Sequence, residues 1–487
     1  MFPLVSVNLN PSLNHFPDRV RHIHLMGVCG TGMGSLAGMF KDSGYLVTGS
    51  DENVYPPMSD FLDSCGIKVK KGYSAENLSP QPDLVVVGNT ISKTNPEAIA
   101  LAESSIPYVS FPQALGHYFL SEKSSLVVTG THGKTTTSSI LATLLHKADQ
   151  SPGFMIGGLV QAFGRNYNLG TGPYFVVEGD EYDTAFFDKG PKFLHYMPHI
   201  AIITSIEFDH ADIYEDLEAI KQSFSRLVEI MPQDGYIVAC FDDPVVREVT
   251  KGAKCTVVGY GMGGESDWRL RNLKVSPNGT FFDVVHNGTF YSSFKSPMPG
   301  KHNGLNALAV IAVLDRLGLD AKTISASLST FEGVRRRQEV RGIVNDITVI
   351  DDFAHHPTAV RETLSALKQA YLDRSLVAVF EPRTNSSRRQ IFQKDYVSSF
   401  DQADRVVVRE PVPLPNFPED QMFSSNQLAS DLKDRGIDAL SFANTDDILN
   451  HLQTTLLPGD VVAILSNGGF DNIHTRLLDM LGKKSKD

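Results

Sequence analysis

The sequence predicts an α/β protein of three consecutive domains, each built around a mainly parallel sheet. Three observations carry that reading. The 487 residues exceed what a single hydrophobic core sustains, and a hydrophobic content of 41% is ample for several. Short apolar runs alternate with helical stretches, and the alternation restarts twice along the chain. In each stretch a strand runs directly into a glycine-rich or Asp/His-rich segment, the arrangement by which α/β sheets carry ligands at their carboxyl edge.

Residues 1–20 read as an N-terminal extension without the basic start and long apolar core of a signal peptide. Residues 21–121 form a Rossmann-like unit: strands Ile23–Met26, Tyr45–Thr48, Leu84–Gly88 and Tyr108–Ser110, with a helix near Met33–Ser43. Residues 122–333 form a P-loop ATPase-like sheet with a β-rich extension. Its strands are Leu126–Val128, Tyr174–Val177 and Ile200–Thr204, its first helix Thr135–Ala148. The extension, Gly235–Met298, carries Asn278-Gly279 and Asn287-Gly288 turn signals, and helices Gly304–Leu317 and Ala321–Leu328 close the unit. Residues 334–487 begin with the arginine-rich Val334–Arg341 and read as a second Rossmann-like unit. Its elements are Thr348–Asp351, helix Pro357–Ala370, Leu376–Phe380, Arg405–Val408 and Val461–Leu465. Pro411–Pro418 is expected to be a surface loop and Lys483–Asp487 a solvated tail.

Composition excludes several classes of function. A net charge of −12 argues against a sequence-independent grip on nucleic acid, which needs many cations to neutralise phosphates. Cys29, Cys65, Cys240 and Cys255 have no C-x-x-C spacing, so neither a zinc site nor a disulfide framework is indicated and a reducing cytoplasm fits best. No run approaches 18 apolar residues, so no membrane span is expected. Oligomeric state is not encoded in any pattern found.

Thr129-Gly130-Thr131-His132-Gly133-Lys134-Thr135-Thr136-Thr137 follows the apolar Leu126–Val128. Glycines let successive backbone N–H groups and a helix start face phosphate oxygens, the lysine supplies charge, and a hydroxyl after it suits Mg²⁺. The pattern is a contracted G-x-x-G-K-T, with Val128 where the longer P-loop has glycine. ATP is therefore the first cofactor to expect.

Other segments carry chemistry of their own. Gly27-Val28-Cys29-Gly30-Thr31-Gly32-Met33-Gly34 follows a strand, and Asp51 ends the next one, where ribose hydroxyls are commonly met; a nicotinamide cofactor, another nucleotide diphosphate and a structural turn stay equal. Glu178-Gly179-Asp180-Glu181-Tyr182-Asp183 continues an apolar strand, which favours Glu178 as a metal ligand over a merely solvated acidic loop. Ile206-Glu207-Phe208-Asp209-His210-Ala211-Asp212 offers His210 at the neighbouring edge. Asn303, at a helix start, either caps it or reads adenine. Arg335-Arg336-Arg337 is either an exposed linker face or a cation source for a γ-phosphate. Asp351-Asp352-Phe353-Ala354-His355-His356-Pro357 joins a strand to a helix; adjacent histidines rarely share a metal, and no cysteine accompanies them.

Taken in order, G-T-H-G-K-T-T, E-G-D-E-Y-D, F-D-H-A-D, H-N-G-L-N-A, R-R-R-Q and D-D-F-A-H-H-P-T resemble the Mur ligase family of peptidoglycan enzymes, from about Arg21 to Leu481. The resemblance implies that the first domain binds UDP, through Gly30, Thr31, Gly32 and Asp51, and that UDP-N-acetylmuramate is the acid substrate. Glu178–Phe193, Val379–Asn385 and Ser466–Phe470 look like the member that adds the murein tripeptide L-alanyl-γ-D-glutamyl-meso-diaminopimelate in peptidoglycan recycling, with consequences for cell-wall biogenesis, cell shape and division. The L-alanine-adding member usually has a P-H-R-Y-[ST]-R motif where this chain has Pro382–Arg388, and it stands as the alternative.

By the same resemblance, Gly130, Thr131, His132, Gly133, Lys134, Thr135 and Thr136 hold ATP, and Thr135 and Glu178 bind Mg²⁺. His210 helps hold a second ion, making Lys134, Glu178 and His210 the catalytic set. Asn303, Arg337 and Asp352 would meet adenine, phosphate and ribose; Arg383, Asn385, Arg388 and Ser466 would grip the tripeptide. Some relatives use a carbamylated lysine, for which Lys221 is the nearest candidate. Outside the family, a nicotinamide oxidoreductase leaves Lys134 and Glu178 unexplained, and a nucleotide sensor would not need both metal-binding edges.

Overall fold

The computed structural model describes residues 6–414 and 417–483. Met1–Val5 of the extension, Pro415 and Asn416 of the proline-rich loop, and residues 484–487 of the tail lie outside the described residues.

Three separate sheets succeed one another. The first has β1 His22–Met26, β2 Leu46–Asp51, β3 Val69–Lys71, β4 Leu84–Val87 and β5 Tyr108–Ser110, all parallel, in the order β3-β2-β1-β4-β5. The helix Thr31–Asp42 begins directly after the glycine turn. Sheet order reverses beside β1, so the glycine turn opens at the switch point where such sheets receive ligands.

The second sheet holds β6 Ser124–Thr129, β7 Gly153–Val160, β8 Arg165–Asn168 and β9 Tyr174–Gly179. It continues through β12 Pro198–Ile203, β13 Tyr236–Cys240, β14 Thr256–Gly261, β15 Trp268–Ser276, β16 Gly279–His286 and β17 Thr289–Ser296, while β10 Asp183–Ala185 and β11 Asp188–Pro191 form a small ribbon apart. Its order is β17-β16-β15-β14-β13-β12-β6-β9-β7-β8. Strands β12, β6, β9 and β7 are parallel, and β6 is buried through Leu126, Val127 and Val128, as a strand covered by helices on both faces must be. The β-rich extension is the antiparallel β15–β17. Asn287 and Gly288, at φ 48° and 80°, make the two-residue turn between β16 and β17, matching the twist of the flanking strands.

The third sheet holds β18 Glu339–Val344, β19 Ile347–Asp352, β20 Leu376–Phe380, β21 Arg405–Arg409, β22 Asp438–Phe442 and β23 Val461–Leu465, in the order β18-β19-β23-β20-β21-β22. Only β18 is antiparallel. The arginine-rich segment is not a loose linker: Val334 bridges to Val160 of β7, and Glu339 already starts β18. Among the described residues no helix is long and apolar enough to cross a membrane.

Side chains tie the sheets together around one cleft. Asn166 Nδ2 donates to Ser35 Oγ at 2.7 Å and Tyr167 OH to Asp42 Oδ2 at 3.1 Å, joining the first two domains. Arg389 Nη1 donates to Ala211 O at 3.0 Å, joining the last two.

Candidate active site

The phosphate loop is shaped by two left-handed glycines, Gly130 at φ 123° and Gly133 at φ 84°. A Cβ on Gly130 would stand 2.3 Å from Thr204 Oγ1, and one on Gly133 would stand 2.7 Å from Asn306 Oδ1, so both are steric as well as conformational requirements. Gly133 precedes the helix Lys134–Lys147 and no side chain caps it, leaving first-turn N–H groups for an anion. These features fit a polyphosphate.

Register then places the acid. Strands β6 and β9 pair Val128 with Glu178, bringing the carboxylate beside the loop. Thr135 Oγ1 donates to Glu178 Oε2 at 3.2 Å, and Gly157 N–H donates to Glu178 Oε1 at 2.8 Å. Burial pushes the Glu178 carboxyl up, although the Gly157 amide and Arg337 oppose it. Two hard oxygen donors side by side suit Mg²⁺.

Lys134 Nζ donates to Gly130 O at 2.6 Å and to Glu181 Oε2 at 2.9 Å. Burial works against its charge, yet Glu181 and Asp180 hold the ammonium above its ordinary value. Asp180 is itself paired with Lys192. His210, in the loop after β12 with φ 54°, was expected beside Glu178; its Nε2 instead lies 3.5 Å from Glu181 Oε1. Burial lowers the imidazolium, but Glu181 and Asp209 outweigh it and raise His210 to about 9.

The third domain reaches this site through the arginine turn. Arg337 Nη2 donates to Thr135 Oγ1 at 3.1 Å, while its guanidinium carbon lies 4.5 Å from the Phe353 ring centroid. Arg336 and Gln338 flank it at φ 59° and 51°. Asp352 secures that strained turn: Oδ2 accepts Gln338 N–H at 2.8 Å and Oδ1 accepts Ala354 N–H at 2.8 Å. Both carboxylate oxygens are thus engaged by backbone, with Oδ2 keeping a second lone pair for a further donor.

Several other expectations change. Helix Lys301–Arg316 is preceded by Gly300, so Asn303 lies inside it and is not its cap; Asn303 Nδ2 donates to Pro299 O at 2.8 Å and Gln338 Oε1 at 3.2 Å. Asp51 accepts Cys29 N–H and Asn53 N–H, both at 2.9 Å, and so shapes the glycine turn from behind. Gly30 precedes the helix Thr31–Asp42 without a side-chain cap, and a Cβ on Gly32 would touch Phe111 at 3.5 Å. Lys221 is clamped by Glu218 at 3.0 Å and Glu248 at 2.6 Å, which hold it as an ammonium, whereas carbamylation needs the neutral amine.

The four residues expected to grip a peptide divide sharply. Ser466 is buried and donates to Glu381 Oε2 at 2.5 Å, so it is an internal brace. Arg388 is spent on Thr384 O, Val412 O and Asn385 Oδ1. Asn385 Nδ2 donates to Asp212 Oδ2 at 3.2 Å across the domain boundary. Arg383 is half-exposed, as Asn385 also is, with its Nη1 a long 3.5 Å from Glu381 Oε1. Glu181, quoted within its motif but given no role, is the residue the sequence reading missed. Its signal is the second glutamate of the motif, three positions after Glu178, and only tertiary contacts tell the two apart.

A P-loop-like nucleotide cleft flanked by two Rossmann-like units defines a class of ATP-using, multi-domain α/β proteins. The chain belongs to the Mur ligase family: the models described as Mur ligase family, catalytic domain, Mur ligase middle domain, and Mur ligase, glutamate ligase domain match residues 22–122, 128–314 and 336–468. It is 39% identical to the UDP-N-acetylmuramate–L-alanyl-γ-D-glutamyl-meso-2,6-diaminoheptandioate ligase of Escherichia coli K12, over 95% of this chain and 99% of that one. The UDP-N-acetylmuramate–L-alanine ligase of Clostridium tetani is 33% identical over 93% and 97%. Among solved structures, a murein peptide ligase of Psychrobacter arcticus superposes with a TM-score of 0.71 at 37% identity, covering 95% of this chain and 99% of that one.

Proposed function

We propose that this chain is an ATP-dependent ligase joining UDP-N-acetylmuramate to the tripeptide L-alanyl-γ-D-glutamyl-meso-diaminopimelate in peptidoglycan recycling. The observation that carries the reading is the near full-length 39% identity to the Escherichia coli enzyme named for those substrates. The work divides at residues 121/122 and 333/334: sugar nucleotide at the Gly30–Gly32 turn, ATP at the central loop, amino substrate on the third domain. Both nucleotides belong to the cytoplasm, where we place the protein.

The chemistry follows from the acid. A carboxylate is a poor acyl donor, so one lactyl oxygen bonds to the γ-phosphorus of ATP as the bond to the β-phosphate oxygen breaks, giving an acyl phosphate and ADP. The neutral α-amine of the tripeptide adds to the acyl carbon. The carbon–oxygen bond to phosphate then breaks, releasing inorganic phosphate and the amine proton.

Each site residue has a task in that sequence. Lys134 exchanges Glu181 for phosphate oxygens. Thr135 and Glu178 would hold Mg²⁺, and His210 would help hold a second ion; a bound divalent ion would offset negative charge on the phosphates. Arg337 brings the third domain onto Thr135, closing the cleft against water that would hydrolyse the acyl phosphate. Asn303, beside Gln338, lines the adenine side, and Arg383 takes a peptide carboxylate.

The test is an assay with Mg²⁺, ATP and UDP-N-acetylmuramate. Added tripeptide should release one ADP per UDP-linked tripeptide product detected by mass spectrometry. Faster turnover with free L-alanine would transfer the assignment to the alanine-adding ligases.

A further inference from the structure

We propose that His132, Glu207 and His356 form a site for one divalent transition-metal ion such as Zn²⁺, distinct from the Thr135–Glu178 pair and tying the phosphate loop to the third domain. The three come from separate elements. His132 lies in the phosphate loop, Glu207 in the loop after β12, and His356 immediately before the helix Pro357–Ala370. One ligand atom from each lies within 4.8 Å of the others.

The spacing suits a small tetrahedral centre. Two donors on an ion with ~2.0 Å bonds stand about 3.3 Å apart. Here His132 Nε2 is 2.9 Å from Glu207 Oε2, and His356 Nδ1 is 3.7 Å from the same oxygen, so the observed separations bracket that edge. Two imidazoles and a carboxylate select Zn²⁺ or Co²⁺ over Mg²⁺, which prefers six oxygens.

Surrounding contacts prepare the ligands. His356 Nε2 lies 3.2 Å from Phe208 O, and Nδ1 accepts Thr358 N–H at a long 3.3 Å. That pattern puts the proton on Nε2 and leaves Nδ1 a lone pair; an outer N–H bonded to a carbonyl is the usual support of a ligating histidine. An ion would replace the long amide contact to His356 Nδ1 and the 2.9 Å hydrogen bond between His132 Nε2 and Glu207 Oε2. Glu207 is fixed by its own N–H, which donates to Thr131 Oγ1 at 2.8 Å. The His132 and Glu207 side chains remain 22% and 35% exposed, leaving an open side for a fourth ligand.

Co²⁺ titrated into the full-length protein under excess Mg²⁺ should give the visible absorption of a four-coordinate ion, saturating at one equivalent and displaced by Zn²⁺. His356→Gln should weaken binding at least tenfold, as should Glu207→Gln, whereas Glu178→Gln should leave the spectrum in place. Zn²⁺ should raise the melting temperature of the wild type but not of either variant. If His356→Gln does not melt cooperatively, Glu207→Gln supplies the reading. Absence of the absorption, or its loss in Glu178→Gln with retention in His356→Gln, overturns the proposal; the trio would then be a hydrogen-bonded contact only.

Discussion

Lys134 Nζ lies 2.9 Å from Glu181 Oε2, so the cation of the phosphate loop is paired with a carboxylate of the protein itself. The pair is almost closed to solvent, with side chains 16% and 2% exposed, and removing the acid leaves a buried ammonium hydrogen-bonded only to carbonyls, with Asp180 acting on it through charge alone. Glu181→Gln is expected to destabilise the nucleotide-free protein by about 2 kcal/mol. Phosphate oxygens replace the lost carboxylate, so Mg²⁺ and ATP should raise the melting temperature of the variant more than that of the wild type. Equal melting temperatures without nucleotide would contradict the pairing.

Thr135 and Glu178 act as a unit, because the β6/β9 register puts the carboxylate 3.2 Å from the hydroxyl. Glu178→Gln keeps the shape and removes the charge, so the Mg²⁺ concentration for half-maximal turnover should rise at least tenfold. Thr135→Val should behave alike and Thr135→Ser should be nearly silent. A Mg²⁺ titration of ADP release checks this, and an unchanged midpoint in both disruptive variants would remove the pair from metal binding.

How much of this was legible depends on how each residue is used. Parallel strands buried on both faces read as apolar runs, and Tyr108–Ser110, Leu376–Phe380 and Val461–Leu465 emerge with the boundaries expected. Edge strands escaped: Val69–Lys71 is short and basic, and Glu339–Val344 mixes Arg341 and Gly342 into its pattern. Lys134 and Thr135 stand out because they open the helix after a glycine turn, and Glu178 because it closes an apolar strand beside that turn. Asp51, Asp352 and Ser466 occupy motif positions of the same appearance, and each also makes internal hydrogen bonds, to the Cys29 amide, the Gln338 amide and Glu381 respectively. Nothing in composition or spacing separates a side chain that faces a ligand from one that braces the loop behind it.

Arg383, proposed to take a peptide carboxylate, is only loosely held, 3.5 Å from Glu381, whose oxygens are occupied by Arg409 at 2.7 Å and by Ser466. Arg383→Ala should raise the KM for tripeptide by ten- to a hundredfold, the loss of a charge-assisted contact, and leave the KM for ATP within about twofold. Arg383→Lys should recover little, because an ammonium cannot reproduce a bidentate fork. Steady-state kinetics with each substrate varied separately decide the matter; a parallel rise in the KM for ATP would make the residue structural.

Cys29 reports on the sugar-nucleotide turn. Its thiol is pushed up to about 11, first by burial and then by the Asp51 carboxylate whose Oδ2 accepts the Cys29 N–H at 2.9 Å. Both effects disfavour the thiolate, the only nucleophilic form, so alkylation is suppressed at neutral pH and grows as pH rises toward that value. At pH 8 the thiolate is roughly 0.1% of the population, so iodoacetamide should label Cys29 far more slowly than an ordinary thiol, with the rate still climbing above pH 10. Asp51→Asn removes the negative charge and should shift the profile to lower pH. UDP-N-acetylmuramate, which we propose binds at the Gly30–Gly32 turn, should slow labelling further, while ATP alone should not. Peptide mass spectrometry distinguishes Cys29 from the other three cysteines; a rate already level by pH 9 would contradict the raised thiol, and protection by ATP alone would separate this turn from the role proposed for it.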